Sequence, residues 1–328
     1  MTMILKKLSS NNTHYNAIDL FAGIGGIRIG FENAFNKSIS FKMSSEIDKN
    51  AQITYQKNFN DTPHGDITKI KEEDIPPHDI LLAGFPCQAF SVAGYRKGFE
   101  DTRGTLFFDV ARIARFHKPS ILFLENVKGF VGHDNGNTFK TVIKTLEDLG
   151  YHIAHKVLNT MEYSNIPQNR ERIYIVAFQD KSVFENFEFP QKVKLENSIN
   201  DCLEKKIKKK FYYNDKPLYE KIKDDITNKK SIYQWRRQYV RENKSSVCPT
   251  LTANMGTGGH NVPIVRDEIG IRKITPRECA NFQGFPKDYI IPENDIATSH
   301  LYKQFGNSVT VGVVEKIATK IYEALGNS

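Results

Sequence analysis

The sequence predicts an α/β protein, a doubly wound and mostly parallel sheet, with a second, smaller irregular domain. The observations behind this are an alternation of short apolar runs with amphipathic helical stretches, a glycine turn between the first strand and the first helix, and the loss of that alternation near residue 185. Residues 17–21 (AIDLF) read as a buried strand, and the stretch from Ile27 to Phe35 as the helix after the glycine turn. Residues 39–46 follow as a second strand. Runs at 79–83 (DILLA) and 120–125 (SILFLE) predict two more strands, with a helix near 105–117 between them. A helix near 137–149 leads to a strand near 151–158, and 172–178 (RIYIVAF) is a further strand. Val309 to Leu325 is again amphipathic, apolar at 309, 313, 314, 317, 318, 321, 322 and 325. One domain is therefore expected over 1–185 plus 299–328, and the second over 186–298.

The 328 residues are 39% hydrophobic and 26% charged, an ordinary globular composition long enough to bury a substantial core. No apolar run approaches the roughly 18 residues of a membrane span. The opening MTMILKKLSS is too short and too broken by lysines for a secretory signal. Cysteines at 87, 202, 248 and 279 show no metal-ligand spacing, so a reduced, cytoplasmic protein without disulfides or a metal site is expected. The net charge is +8, and residues 204–244, with 14 Lys and Arg against 6 Asp and Glu, carry all of that excess. Basic clusters interleaved with Phe211, Tyr212, Tyr213, Tyr219, Tyr233 and Trp235 suggest a polyanion, most simply nucleic acid.

Asp19 to Gly26 (DLFAGIGG) lies where the first strand turns into the first helix, and glycines there let backbone approach a bound nucleotide next to a helix N-terminus. The spacing is not G-x-G-x-x-G. Glu46 ends the second strand, where an acid can bind ribose hydroxyls, and Asp66 in HGDIT could accept from an adenine amino group. Three polar features then fall at strand ends: Cys87 in AGFPCQAFS, Glu125, and Arg170 with Arg172 in QNRER. A thiol, a carboxyl and guanidinium groups gathered at one end of an open sheet form a nucleophile, an acid and an electrophile.

These stretches resemble the bacterial DNA cytosine-5 methyltransferases. The matching runs are DLFAGIGGIRIGF, GFPCQAFSVAGYRKGFEDTRGTLFFD, ENVKGF, QNRERIYIVAF, RKITPRECANFQGFP and YKQFGNSVTVG, in the family's order, from about residue 16 to 325 apart from much of 185–245. The resemblance implies the sheet type of the S-adenosylmethionine-dependent methyltransferases, with the second domain serving target recognition. It implies that Cys87 adds to C6 of cytosine, that Glu125 binds N3 and the exocyclic amine, and that Arg170 and Arg172 orient the base, Arg172 nearer to it. The cofactor contacts that carry over are Phe21, Gly23, Gly25, Ile27, Glu46, Ile47, Asp66, Ile67, Leu106, Asn307 and Val309. Pro86 sets the local backbone so that the sulfur of Cys87 points into the pocket.

A stacked duplex hides C5 and C6, so the target base must turn out of the helix. The segment from Ser91 to Gly104, with Arg96, Lys97 and Arg103, reads as a lid that closes on DNA. The basic half of the second domain supplies phosphate contacts, whereas base reading falls to Arg236, Arg237, Arg241 and the stretch 249–260, including Thr250, Thr252 and Asn254. The expected partner is double-stranded DNA, for a monomer that touches no membrane. A companion restriction endonuclease, without a stable complex, is compatible with this. A tRNA cytosine-5 methyltransferase shares the same catalytic motifs, and the basic insert with its glycine-rich loop favours DNA.

Overall fold

The computed structural model describes residues 13–86, 106–243, 245–257 and 261–326. The first half alternates as expected: β1 (Tyr15–Leu20), α1 (Gly26–Phe35), β2 (Ile39–Ser45), α2 (Lys49–Phe59), β3 (Ile80–Ala83), α3 (Phe107–His117), β4 (Ile121–Val127), α4 (Asn137–Asp148), β5 (His152–Asn159) and β6 (Glu171–Phe178). The six strands form one sheet in the order β2-β1-β3-β4-β6-β5. Neighbours are parallel from β2 to β4, while β6 runs antiparallel to both β4 and β5. This single reversal brings the start of β6, with Arg172 opposite Val127, to the carboxyl ends of the parallel strands.

Strand side chains alternate between two cores, as a period of two requires. Ile80 and Leu82 of β3 face α1 and the C-terminal helix, together with Phe31, Phe123, Val176, Val314 and Ile317. Leu81 and Ala83 face α3 and α4, together with Phe107, Val110, Leu122, Leu124 and Leu146. Both faces of the sheet are therefore covered, which explains why its strands read as continuous apolar runs.

The region after 185 contains short strands and three helices that bear on the site. The strands β7 (Tyr233–Trp235), β8 (Val240–Glu242), β9 (Ile264–Arg266) and β10 (Ile271–Lys273) make a second, antiparallel sheet in the order β10-β9-β7-β8. The helices are α5 (Pro276–Phe282), α6 (Thr298–Asn307) and α7 (Val311–Ala324). Helix α5 opens on a capping box, Thr275 accepting from the Glu278 amide at 3.1 Å while Glu278 accepts from the Thr275 amide at 2.7 Å.

The aromatics in the basic segment are core rather than a stacking surface. Tyr213, Tyr233 and Trp235 pack with Ile222, Ile226, Ile264 and Ile271, and Phe211 is buried in a further cluster. Part of the basic excess is also neutralised by acids outside that segment: Lys208 pairs with Glu293 at 2.6 Å and Lys229 with Glu268.

The expected break at 298 is not a break in packing. One core cluster joins Ile24, Ile29 and Ala51 of the first domain to Leu251, Met255, Phe282, Phe285, Phe305 and Val311. Tyr289 donates to the Ile24 carbonyl at 2.6 Å, and the Val311 amide donates to the Gln283 carbonyl at 2.8 Å. Apolar residues in α5 are buried against the first domain, although the charged sequence around them hid this.

Candidate active site

A cavity of about 420 Å3 opens at the carboxyl ends of the parallel strands. Its walls come from the turn after β1, the ends of β2, β3 and β4, the start of β6, and the residues where α6 gives way to α7. Of the residues expected to hold a cofactor, Phe21, Gly23, Ile27, Glu46, Ile47, Leu106, Asn307 and Val309 line it, and so do Glu125 and Arg172.

The turn is shaped by left-handed backbone. Gly23 (φ 56°) and Gly25 (φ 79°) adopt it at little cost, and Gly25 is the N-cap of α1. Phe21, at φ 56°, is a bulky residue in the same region, a strain that persists only where the surroundings hold it. Its place is held by the next residue, whose amide donates to the Ser45 carbonyl at 2.9 Å. Glu46 closes the arrangement from β2. Its Oε2 accepts from the Gly23 amide at 2.8 Å and its Oε1 from the Asp48 amide at 2.7 Å. Burial nevertheless raises its pKa above the ordinary carboxylate value, against those backbone donors.

Glu125 and Arg172 face each other across the β4–β6 pairing, with Arg172 Nε 3.1 Å from Glu125 Oε1. Glu125 is only 8% exposed. Burial pushes its pKa up, while Arg172 and then Arg170 pull it down, leaving a net rise. Its Oε2 lies on the side of Gly84, where an added Cβ would come within 3.6 Å of it. Next to it, Asn126 donates to the Phe85 carbonyl at 2.9 Å and so fixes the chain that leads through Pro86, itself on the cavity wall, to residue 87. Cys87, Ser91, Arg96, Lys97 and Arg103 lie outside the described residues.

Arg170 is a correction. It is 1% exposed and does not line the cavity. Its Nη1 donates to the Leu251 carbonyl at 2.7 Å, and its Nη2 to the Gly306 carbonyl at 3.2 Å and to the Ser308 carbonyl. A buried guanidinium must direct its N–H groups at acceptors, and here those acceptors are backbone of two other segments. Arg170 is therefore a strut holding the Leu251 stretch and the Gly306 to Ser308 segment to the start of β6. Gly306 completes that junction, since a Cβ there would sit 2.2 Å from the Thr252 carbonyl.

Asp66 and Ile67 also stand away from the wall. Asp66 Oδ1 accepts from the Thr68 amide at 3.1 Å and from its hydroxyl at 2.7 Å, capping a short helix, and Ile67 is core. Gly25 sits one residue behind wall-lining Gly26. Among the residues expected to contact DNA, Arg236, Arg237 and Asn254 line a second cavity, and Arg241 and Thr252 are exposed. Thr250 donates to the Asn169 carbonyl at 2.6 Å.

Sequence reading missed Lys303 and Asp48, paired at 2.9 Å on the rim of the first cavity. Lys303 lies in the quoted run YKQFGNSVTVG, but nothing local marks it as a wall residue. The other omission is Asp19, fully buried with no hydrogen-bond partner for either oxygen among the described residues. Burial pushes its pKa up to about 8, only partly opposed by Arg28. Between the unfolded carboxyl value and pH 8 the folded chain holds a proton that the unfolded chain has released, so stability falls as pH rises. The slope for one proton is at most about 1.4 kcal/mol per pH unit. Asp19→Asn is expected to remove this slope, so that its thermal midpoint gains on the wild type from pH 5 to 8; parallel curves would mean that Asp19 does not carry it.

The pieces suit an adenosyl group. Gly23 lines the cavity, and a Cβ on it would meet no protein atom within 4 Å, so the backbone there fronts open space. Glu46 keeps free lone pairs on both oxygens for hydroxyl donors, and Phe21, Ile27, Ile47 and Val309 supply apolar wall. Among the described residues there is no acidic, histidine and cysteine cluster able to hold a metal, and no helix long and apolar enough to cross a membrane.

Residues 15–323 match the family model for C-5 cytosine-specific DNA methylases. The chain is 55% identical over 313 residues to the type II methyltransferase M.Bsp6I of Bacillus sp., covering 93% of this chain and 98% of that one. It is 45% identical over 319 residues to the type II methyltransferase M.SsoII of Shigella sonnei, covering 97% and 82%. Among solved structures, Entamoeba histolytica methyltransferase EhMeth superposes with a TM-score of 0.76 at 19% identity, covering 95% of this chain and 99% of that one.

Proposed function

The chain belongs to the C-5 cytosine-specific DNA methylase family, and from that premise we propose that it methylates C5 of a cytosine within a specific short duplex DNA sequence, with S-adenosylmethionine as the donor. The observation that carries this reading is the Glu125–Arg172 pair on the wall of a cavity whose far end is the glycine turn and Glu46. One cavity thus offers a place for an adenosyl group beside a carboxyl and a guanidinium suited to a pyrimidine edge.

When bound, S-adenosylmethionine supplies an electrophilic methyl group on a positively charged sulfur. Glu46 accepts hydroxyl donors of the ribose, and the apolar residues around Phe21 and Ile47 exclude water from the adenine. The flipped cytosine enters from the side of Pro86. The Cys87 thiolate forms a bond to C6, the C5=C6 electrons move into the ring, and Glu125 hands its proton to N3 to neutralise the charge that develops. Burial raises its pKa above the ordinary carboxyl value and so favours the protonated form. Arg172 holds the Glu125 carboxyl in place and stabilises the remaining negative charge on the ring. After the methyl is on C5, loss of the C5 proton to a base re-forms the double bond, the sulfur leaves C6 with its electron pair, and N3 returns its proton to Glu125.

The test is methyl transfer from labelled S-adenosylmethionine to mixed-sequence duplex DNA and to total tRNA, followed by conversion sequencing. Label at one short DNA motif is the expected result. Label in tRNA alone would keep the chemistry and overturn the DNA substrate.

A further inference from the structure

We propose that Lys303, through its ion pair with Asp48, is a positioning residue for S-adenosylmethionine that holds the Glu46 carboxyl and the Ile47 side chain at the cavity wall. This rests on the methyl donor proposed above. Lys303 and Asp48 both line the first cavity, and their side chains meet at 2.9 Å on its rim. They come from helices far apart in the chain: Lys303 lies in α6, and Asp48 is the N-cap of α2.

Asp48 gives each of its polar groups to a different partner. Its Oδ1 accepts from the Asn50 and Ala51 amides at 2.9 and 3.3 Å, which fixes the first turn of α2. Its Oδ2 accepts from Lys303 Nζ. Its own amide donates to Glu46 Oε1 at 2.7 Å, while the Gly23 amide holds Oε2 at 2.8 Å. The position of Asp48 therefore sets that of the Glu46 carboxyl. Burial pushes the Asp48 pKa up, but Lys303 and the two amides outweigh it and leave the carboxyl below its ordinary value. Ile47, between the two acids, lines the cavity and is 67% exposed, so protein packing does little to orient it. The backbone on either side does so instead.

Lys303 is itself firmly anchored. A Cβ on Gly256 would lie 3.2 Å from the Lys303 Cβ and 2.6 Å from the Ser299 carbonyl, so α6 packs flush against the turn at Ala253–Gly256. The next residue, Gln304, is buried, and its Oε1 accepts from the Thr54 hydroxyl of α2 at 2.9 Å. Helix α6 thus grips α2 at its N-cap and again nearer its middle. Of these two links, the ion pair is the one that reaches the segment carrying Glu46.

The sign of the effect separates positioning from charge. S-adenosylmethionine carries a sulfonium and an ammonium against one carboxylate, so its net charge is positive. A lysine acting only through its field would repel it, and removing that lysine would tighten binding. A lysine that holds Asp48 and Glu46 in place has the opposite effect.

The experiment is calorimetric binding of S-adenosylmethionine to the full chain, with steady-state transfer to duplex DNA alongside and thermal melts as the folding control. Lys303→Met keeps the stem and removes the charge. It is expected to raise Kd and KM for the cofactor about three- to fivefold, with kcat at saturating cofactor changed by less than about 1.5-fold. Lys303→Arg is expected to restore most of the affinity. Asp48→Asn keeps a capping oxygen and loses the pair; the same rise is expected, and the double variant should lose no more than either single. Binding by Lys303→Met as tight as the wild type's, or tighter, overturns the positioning role, and so does a double variant whose losses add. A wild type that binds no S-adenosylmethionine overturns the donor reading, and this inference with it.

Discussion

Cys87→Ser is expected to lower methyl transfer by at least about 10³-fold while leaving affinity for S-adenosylmethionine within about twofold. A serine hydroxyl keeps its proton at neutral pH, so the proposed addition of sulfur to C6 has no counterpart, whereas the cavity residues proposed to hold the adenosyl group are untouched. No other described cysteine can take over. Cys202, Cys248 and Cys279 are buried, and burial pushes their thiols up, Cys202 to about 12 and the other two well above the ordinary value. Of the four cysteines, Cys87 alone follows in sequence on a residue of the cavity wall, Pro86. Turnover by single-exchange kinetics and binding by calorimetry separate the two effects; normal turnover in the variant would remove Cys87 as the nucleophile.

Glu125→Gln keeps the shape of the side chain and removes its transferable proton. It is expected to lower kcat by about 10²- to 10⁴-fold with a smaller change in KM for DNA. The pH dependence gives the sign. The proton must be present at the start, and burial holds it above the ordinary carboxyl pKa, so activity is retained below the raised value and declines as pH rises through it. The wild type should show that decline and the variant's residual activity should not. A kcat within threefold of wild type across the range would mean that Glu125 is only a partner for Arg172, which it meets at 3.1 Å.

Much of the fold was legible because the sheet is covered on both faces. Strands such as Ile80–Ala83, and residues 121–124 of β4, then become unbroken apolar runs, and the helices between them show a clear 3.6-residue period. The turn after β1 was legible from its glycines, and Glu46 from its place at the end of a strand. Asp66 caps a short helix through its Oδ1, a role that the sequence HGDIT does not distinguish from a ligand contact. Arg170 misled because it precedes the strand: Arg172 lies within β6 and meets Glu125, whereas the Arg170 guanidinium is taken up by the backbone carbonyls of Leu251, Gly306 and Ser308.

Sequence by itself determined the alternating architecture, the glycine turn, and which residue types stand at the carboxyl ends of the strands, since these follow from local periodicity and backbone preference. Only the tertiary structure decided that β6 runs antiparallel and so carries Arg172 to Glu125. It alone showed that Phe285 and Tyr289 pack into the first domain and that Trp235 is core. Each of these depends on which distant segments are neighbours, and such pairings arise from burying surfaces far apart in the chain, which no local pattern of residues records.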